Sequence, residues 1–146
     1  LHACAILDTP PEDTFDQLAR LAAHLCDAPL AVIGFVDADR EWFKASSGMA
    51  ADVLQKLAGA HTLCTLAQGG QLVQVEDARA HAALRGHPLV LGPPRIRMCA
   101  CMPIRNAEGL VLGAVVVMDT AARTLDAARQ EALAAIAEQT MALLEL

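Results

Sequence analysis

The chain has 146 residues, a formal net charge of −6, and 55% apolar residues with aromatics at only 3%. That length suits one domain that buries roughly two thirds of its extended surface, with a core built from Ala, Leu, Val and Met. The acidic balance disfavours nucleic-acid backbones, which need a basic face, and no apolar run reaches the ~20 residues that cross a bilayer.

No signal peptide is recognisable. The sequence starts at Leu1 without Met, which predicts residues 1–146 to be a single domain from a longer protein. Five cysteines without a regular framework predict a reducing cytoplasm.

The first element is a helix. Thr9 can cap it, Glu12 can reach back and Pro10 suits the first turn. Phe15, Leu18, Ala22 and Leu25 then form one apolar stripe. Leu30 to Val36 is an apolar run of strand length, 37–40 a turn, and Glu41 to Ser47 its hairpin partner. Residues 51–58 and 62–67 read as short helices, 72–75 as a strand and 77–84 as one or two helical turns. Residues 87–97 form a loop stiffened by Pro88, Pro93 and Pro94. A hairpin follows, from Met98 to Arg105 and from Leu110 to Met118, around Asn106-Ala107-Glu108-Gly109. Asp126 caps a long last helix with a seam of Leu133, Ile136, Thr140 and Leu143, flanked by Ala137 and Leu144.

These elements predict an α+β domain around an antiparallel sheet of five or six strands. The runs at 30–36 and 110–118 are apolar on both parities, as in central strands covered on both faces. The terminal helices would cover one face. The short middle helices and loops would form a pocket on the other.

Several pieces resemble a GAF domain, a sensory module of bacterial signalling proteins. They are Leu7-Asp8-Thr9-Pro10-Pro11-Glu12 with Phe15-Asp16, Asp37 to Lys44, Val75-Glu76-Asp77-Ala78-Arg79, and His87 to Pro94 leading into the last hairpin. Together and in this order they cover nearly the whole chain. The resemblance implies a GAF/PAS-like fold and a regulatory domain, not an enzyme, fused to an effector such as a histidine kinase or a cyclic-dinucleotide enzyme. A ligand-free dimerisation module and a cysteine-dependent free methionine sulfoxide reductase are the alternatives.

The chain departs from the family where the pocket is expected. Relatives often carry Phe-Cys-Ala-His where this chain has His61-Thr62-Leu63-Cys64-Thr65, and Phe-Tyr-Ala-Gly where it has Met98-Cys99-Ala100-Cys101. Rings have been exchanged for sulfur. The reductase relative has Ser-Glu at Met98-Cys99, a lost recognition group. Cyclic-nucleotide binders carry an Asn-Lys signature, whereas Asn106 is the chain's only Asn and sits in a turn. Bilin attachment favours a Cys followed by His, and Cys64 precedes Thr65.

His61, Cys64, Cys99 and Cys101 are the one cluster with chemical promise. Thiolates and imidazole suit zinc or copper, but Cys-x-Cys is not zinc-knuckle spacing, so no metal is assigned. Redox sensing and simple burial as small hydrophobes are the other readings. In a regular strand the Cα atoms of Cys99 and Cys101 would lie ~6.6 Å apart, the far edge for a disulfide.

The expected ligand wall is Ser46, Cys64, Asp77, Arg79, Met98 and Val116, around a small molecule that is mostly apolar or weakly anionic. The residues name no cofactor. Strand alternation allows only one parity of 98–102 to reach the cavity. Met98, Ala100 and Met102 are assigned there, and Cys99 and Cys101 beneath the terminal helices. Asp77 can instead cap the next turn, Arg79 and Arg97 can lie on the surface, and Trp42 can pack under a helix rather than under a ligand. The stripes Phe15/Leu18/Leu25 and Leu133/Ile136/Leu143 predict a parallel homodimer through the terminal helices.

Overall fold

Phe15, Ala19, Ala22 and Ala23 recur at spacings of three and four, which puts one apolar face on α1 (Asp13–Leu25). This computed structural model describes residues 13–37, 40–58 and 63–145. The expected cap at Thr9 and His61 of the thiol cluster lie outside the described residues. After α1 come β1 (Leu30–Asp37), β2 (Arg40–Ser47) and α2 (Ala51–Ala58), then a 3-10 turn at Cys64–Ala67. β3 (Val73–Val75), a second 3-10 turn at Ala78–Ala80 and α3 (Pro88–Leu91) follow. The chain then forms β4 (Met98–Arg105), β5 (Val111–Asp119) and α4 (Ala127–Leu144). The loop expected at 87–97 thus contains a short helix, because Pro88 at its first turn and His87 at its cap position favour helix initiation.

The five strands form one antiparallel sheet in the order β2-β1-β5-β4-β3. The two strands that are apolar on both parities, β1 and β5, lie inside it. Register aligns side chains in rows. Ser46, Val32, Val116, Cys101 and Val73 run across one face, and Leu30, Met118, Cys99 and Val75 lie beside them. The opposite face carries Ala31, Val117 and Ala100, then Ile33, Val115 and Met102.

Two cores result. One packs Phe15, Ala19, Ala22, Leu133, Ile136 and Ala137 of the terminal helices on the second face. The other packs Leu57, Leu63, Cys64, Leu84, Leu89 and Ile96 of the middle segment on the first. The helical stripes are therefore spent inside the domain. Ile136 is 3% exposed and Leu133 fully buried, so these two residues of the expected dimer seam pack within the domain, while Leu18 and Leu143 are half-buried. Leu25 falls outside the buried stripe, at 41% exposed.

At the outer strand, Ile33 faces Ala45 while Gly34 faces Phe43, so Lys44 is an extra, bulged residue. Its ammonium is buried 5.6 Å from the Phe15 ring centroid and 5.7 Å from that of Trp42. A bulge with an inward charge blunts an edge strand against further pairing. Trp42 is half-buried and packs against the core beneath the terminal helices.

Candidate functional site

The sheet face under the middle segment brings together Cys64, Val116, Cys99 and Cys101. Cys64 lies over β1 because residue 34 is glycine. A Cβ there would stand 2.7 Å from the Cys64 Sγ and 2.8 Å from the Phe43 ring. The Cys64 N–H donates to Oε1 of buried Glu41 at 2.6 Å. Burial, with the Glu41 carboxylate beside it, pushes the Cys64 thiol well above its usual range.

The parity expected for β4 is reversed. Cys99 and Cys101 face the middle segment, while Met98 and Ala100 lie beneath the terminal helices. Both parities of this strand are apolar, so alternation carried no signal, and pairing of Cys99 with Met118 and Cys101 with Val116 decides the face. Met98 is accordingly removed from the candidate wall. The Cys99 and Cys101 sulfurs lie 3.5 Å apart as free buried thiols. The Cys99 contact and burial hold the Cys101 thiol well above its usual range. Thiols so held are poor nucleophiles. Among the described residues, no group of three or more His, Cys, Asp or Glu is arranged to hold a metal ion.

The remaining candidates lie at the margins. Ser46 is opposite Val32 and opens on a surface groove of about 510 Å3 shared with Asp16, Arg20, Ser47 and Leu54. Asp77 caps the second 3-10 turn through the Arg79 N–H at 3.1 Å. The Arg79 guanidinium, 2.7 Å away, holds the Asp77 carboxyl at about 2. Arg79 itself is exposed. Between sheet and middle segment, Leu63, Ala78, Leu84, His87, Leu89, Val90, Ile96, Cys99 and Met118 leave a cavity of only about 10 Å3. That is about the size of one water.

His87 was missed as a site residue. Its ring is 5% exposed. A His immediately before Pro at a helix start was the available signal. Also missed was a polar route around the sheet end. Arg97 Nη1 donates to Val90 O at 3.4 Å, and the Arg97 N–H donates to Asp119 O at 2.8 Å. The Asp119 carboxylate accepts from Arg123 Nε at 2.9 Å. Arg123 Nη2 then donates to Cys26 O at 3.1 Å and Asp27 O at 2.8 Å, at the end of α1. Partial burial pushes the Asp119 carboxyl up, but the bonds from Arg123 and nearby backbone N–H groups outweigh it and leave it below its usual range.

One antiparallel sheet closed by two long terminal helices on one face and by short helices and turns on the other defines the α+β class of this domain. The chain belongs to the GAF domain family, whose model matches residues 10–144. It is 33% identical over 141 residues to a cyclic di-GMP phosphodiesterase of Pseudomonas aeruginosa, covering 96% of this chain but only 22% of that protein. In fold it resembles the GAF domain of a phosphoenolpyruvate-protein phosphotransferase from Coxiella burnetii, with a TM-score of 0.75, 17% identity, and 97% and 86% of the two chains covered. It also resembles a type II free methionine-R-sulfoxide reductase from Thermoplasma acidophilum, with a TM-score of 0.74, 12% identity, and 99% and 96% covered. Among the described residues no helix is long and apolar enough to cross a membrane.

Proposed function

We propose that this domain is a regulatory, non-catalytic module of a larger signalling protein, in which movement of the middle segment on the sheet repositions the terminal helices. The observation that carries this reading is the hydrogen-bonded route from Val90 through Arg97, Asp119 and Arg123 to the end of α1. The input is a small molecule, mostly apolar or weakly anionic, taken up against Cys64 and Val116, with Ser46, Asp77 and Arg79 at the rim. This face is filled, so ligand entry has to displace the segment. A ligand then gains its leverage from differential affinity for the two packings. The Pseudomonas relative supports an attached effector that acts on a cyclic dinucleotide. A kinase is the other candidate. Free buried thiols suit a reducing cytoplasm. Self-association would use exposed Leu21 and Leu25 on α1, not the buried seam.

The cavity of about 10 Å3 favours a second reading, a ligand-free dimerisation module. Native mass spectrometry of protein purified from its host separates the two. A retained small molecule, released when Val116→Phe fills the face, supports sensing. A bare chain with concentration-dependent dimer mass supports the second. Turnover of free methionine sulfoxide with a thiol reductant would overturn the non-catalytic assignment.

A further inference from the structure

His87 N–H donates to Leu84 O at 2.9 Å, and His87 O accepts from Val90 at 2.9 Å and Leu91 at 3.0 Å. Its Nδ1 accepts from the Leu89 N–H at 3.0 Å. The ring proton of the neutral imidazole therefore sits on Nε2. That atom is buried with no partner among the described residues. The ring lines the small cavity against Cys99 and Met118. Leu89 O in turn accepts from Ile96 N–H at 2.8 Å, which closes the loop 87–96 on itself just before β4.

We propose that His87 is a proton-operated latch, and that protonating its imidazole releases the segment around α3 from the sheet. The added proton must enter Nδ1, the atom that accepts from Leu89. The cap bond is then replaced by two opposed N–H groups, and a charge appears in an apolar lining.

The facing groups offer that charge no partner. Among the described residues that line the cavity, Cys99 on β4 is the only other titratable one and none is a carboxylate. The charged side chains bonded to α3 and its following turn are cations. Arg97 binds Val90 O, Arg95 binds Leu91 O at 3.0 Å, and Lys56 of α2 binds Pro93 O at 3.4 Å. His81 lies upstream, its Nδ1 accepting from Ala83 N–H at 3.1 Å.

Burial holds His87 below the ordinary histidine range. The released segment therefore binds the proton more readily than the packed one. The packed state is fully favoured above about pH 6.5. It loses up to tenfold in population for each unit below that, until the depressed native value is reached. This regulates the same face as the proposed sensing function and rests on that reading only for its effect on an effector.

The test is nitrogen-15 NMR of the imidazoles from pH 8 to pH 5, with hydrogen exchange at the Leu89 and Ile96 amides corrected for intrinsic rates. The expected result is an Nε2–H tautomer, a midpoint below the ordinary value, and protection that falls toward tenfold per unit. His87→Asn supplies an acceptor for the Leu89 N–H that does not titrate, and should make protection flat with pH. His81→Asn should leave the response intact. A midpoint at or above the ordinary value, a flat wild-type response, a response that survives in His87→Asn, or one lost in His81→Asn each overturns the latch. If His87→Asn does not fold, the wild-type midpoint and Leu89 protection decide. Failure of the ligand reading would appear in the mass spectra and leave this titration unchanged.

Discussion

The face under α1 and α4 is covered by helices of 13 and 18 residues, whereas the face under the middle segment is covered by pieces of eight residues or fewer. The long helices satisfy most of their backbone bonds internally and bury a continuous stripe. The short pieces depend on individual side chains. Glu41 holds the Cys64 turn, Asp77 the next one and His87 the third. The first face is thus set by long continuous stripes, and the second by an apolar core whose covering turns are each pinned by a single side chain. Low-stability units of this kind are where moving elements are found.

The comparison is tested most severely on the helix side. Ile136→Glu puts an unpaired charge into the terminal-helix core, so it should cost about 4 kcal/mol or more. Urea denaturation should show an unfolded chain, not a folded monomer released from a dimer. A folded, well-behaved monomer would restore the intermolecular seam.

On the other face, Gly34→Ala should cost about 1–3 kcal/mol by overpacking against Cys64 and Phe43. Cys64→Ala in the same chain should recover part of that loss in a double-mutant cycle, since it removes the nearest clash. Additive losses would mean that Cys64 does not rest on Gly34.

Between the faces, Arg123→Gln should lose about 1–2 kcal/mol at neutral pH. Asp119 has a depressed native value, so its contribution is present above the unfolded carboxylate value of about 3.9 and is lost as pH falls through the native one. The gap between wild type and variant should therefore narrow in acid, leaving the part due to the Cys26 and Asp27 carbonyls. A constant gap down to pH 2 would remove Asp119 from the account.

The smallest effect is kinetic. Cys99, Cys101 and Cys64 should react with a small thiol reagent only as the middle segment opens, because all three are buried out of the reagent's reach. Cys26, under the helices, provides the reference. If the two faces differ as argued, Cys99 should label faster than Cys26. Equal rates would mean that both faces open together.

Much of the architecture was legible as local pattern. The runs at 30–36 and 110–118 became inner strands, the turn at Asn106 joined the last hairpin, and Asp126 caps α4 by accepting from the Arg129 N–H at 2.9 Å. A strand that is apolar throughout must be covered on both sides, and a cap is a property of neighbouring residues. Hydrophobic periodicity located Leu133, Ile136 and Thr140 of the buried α4 stripe but only Phe15 and Ala22 of that on α1, and it offered both the sheet and a second chain as cover. A stripe states that it needs covering; only the fold shows that the sheet, not a second chain, covers it.

The site was less legible for the same physical reason. Asp77 and Arg79 interact two residues apart, and sequence proximity makes the cap reading available at once. The choice between Met98 and Cys99 depends on register with β5, and apolar residues on both parities leave no periodicity to read. Glu41 meets Cys64 across 23 positions, and Arg123 meets Cys26 across 97. Residue type and spacing along the chain determined which segments become helix, strand and turn, because those preferences are local. Which side of β4 faces the middle segment, and which polar groups are left buried there, was decided by tertiary structure, because contacts between distant residues have no spacing in the sequence that could announce them.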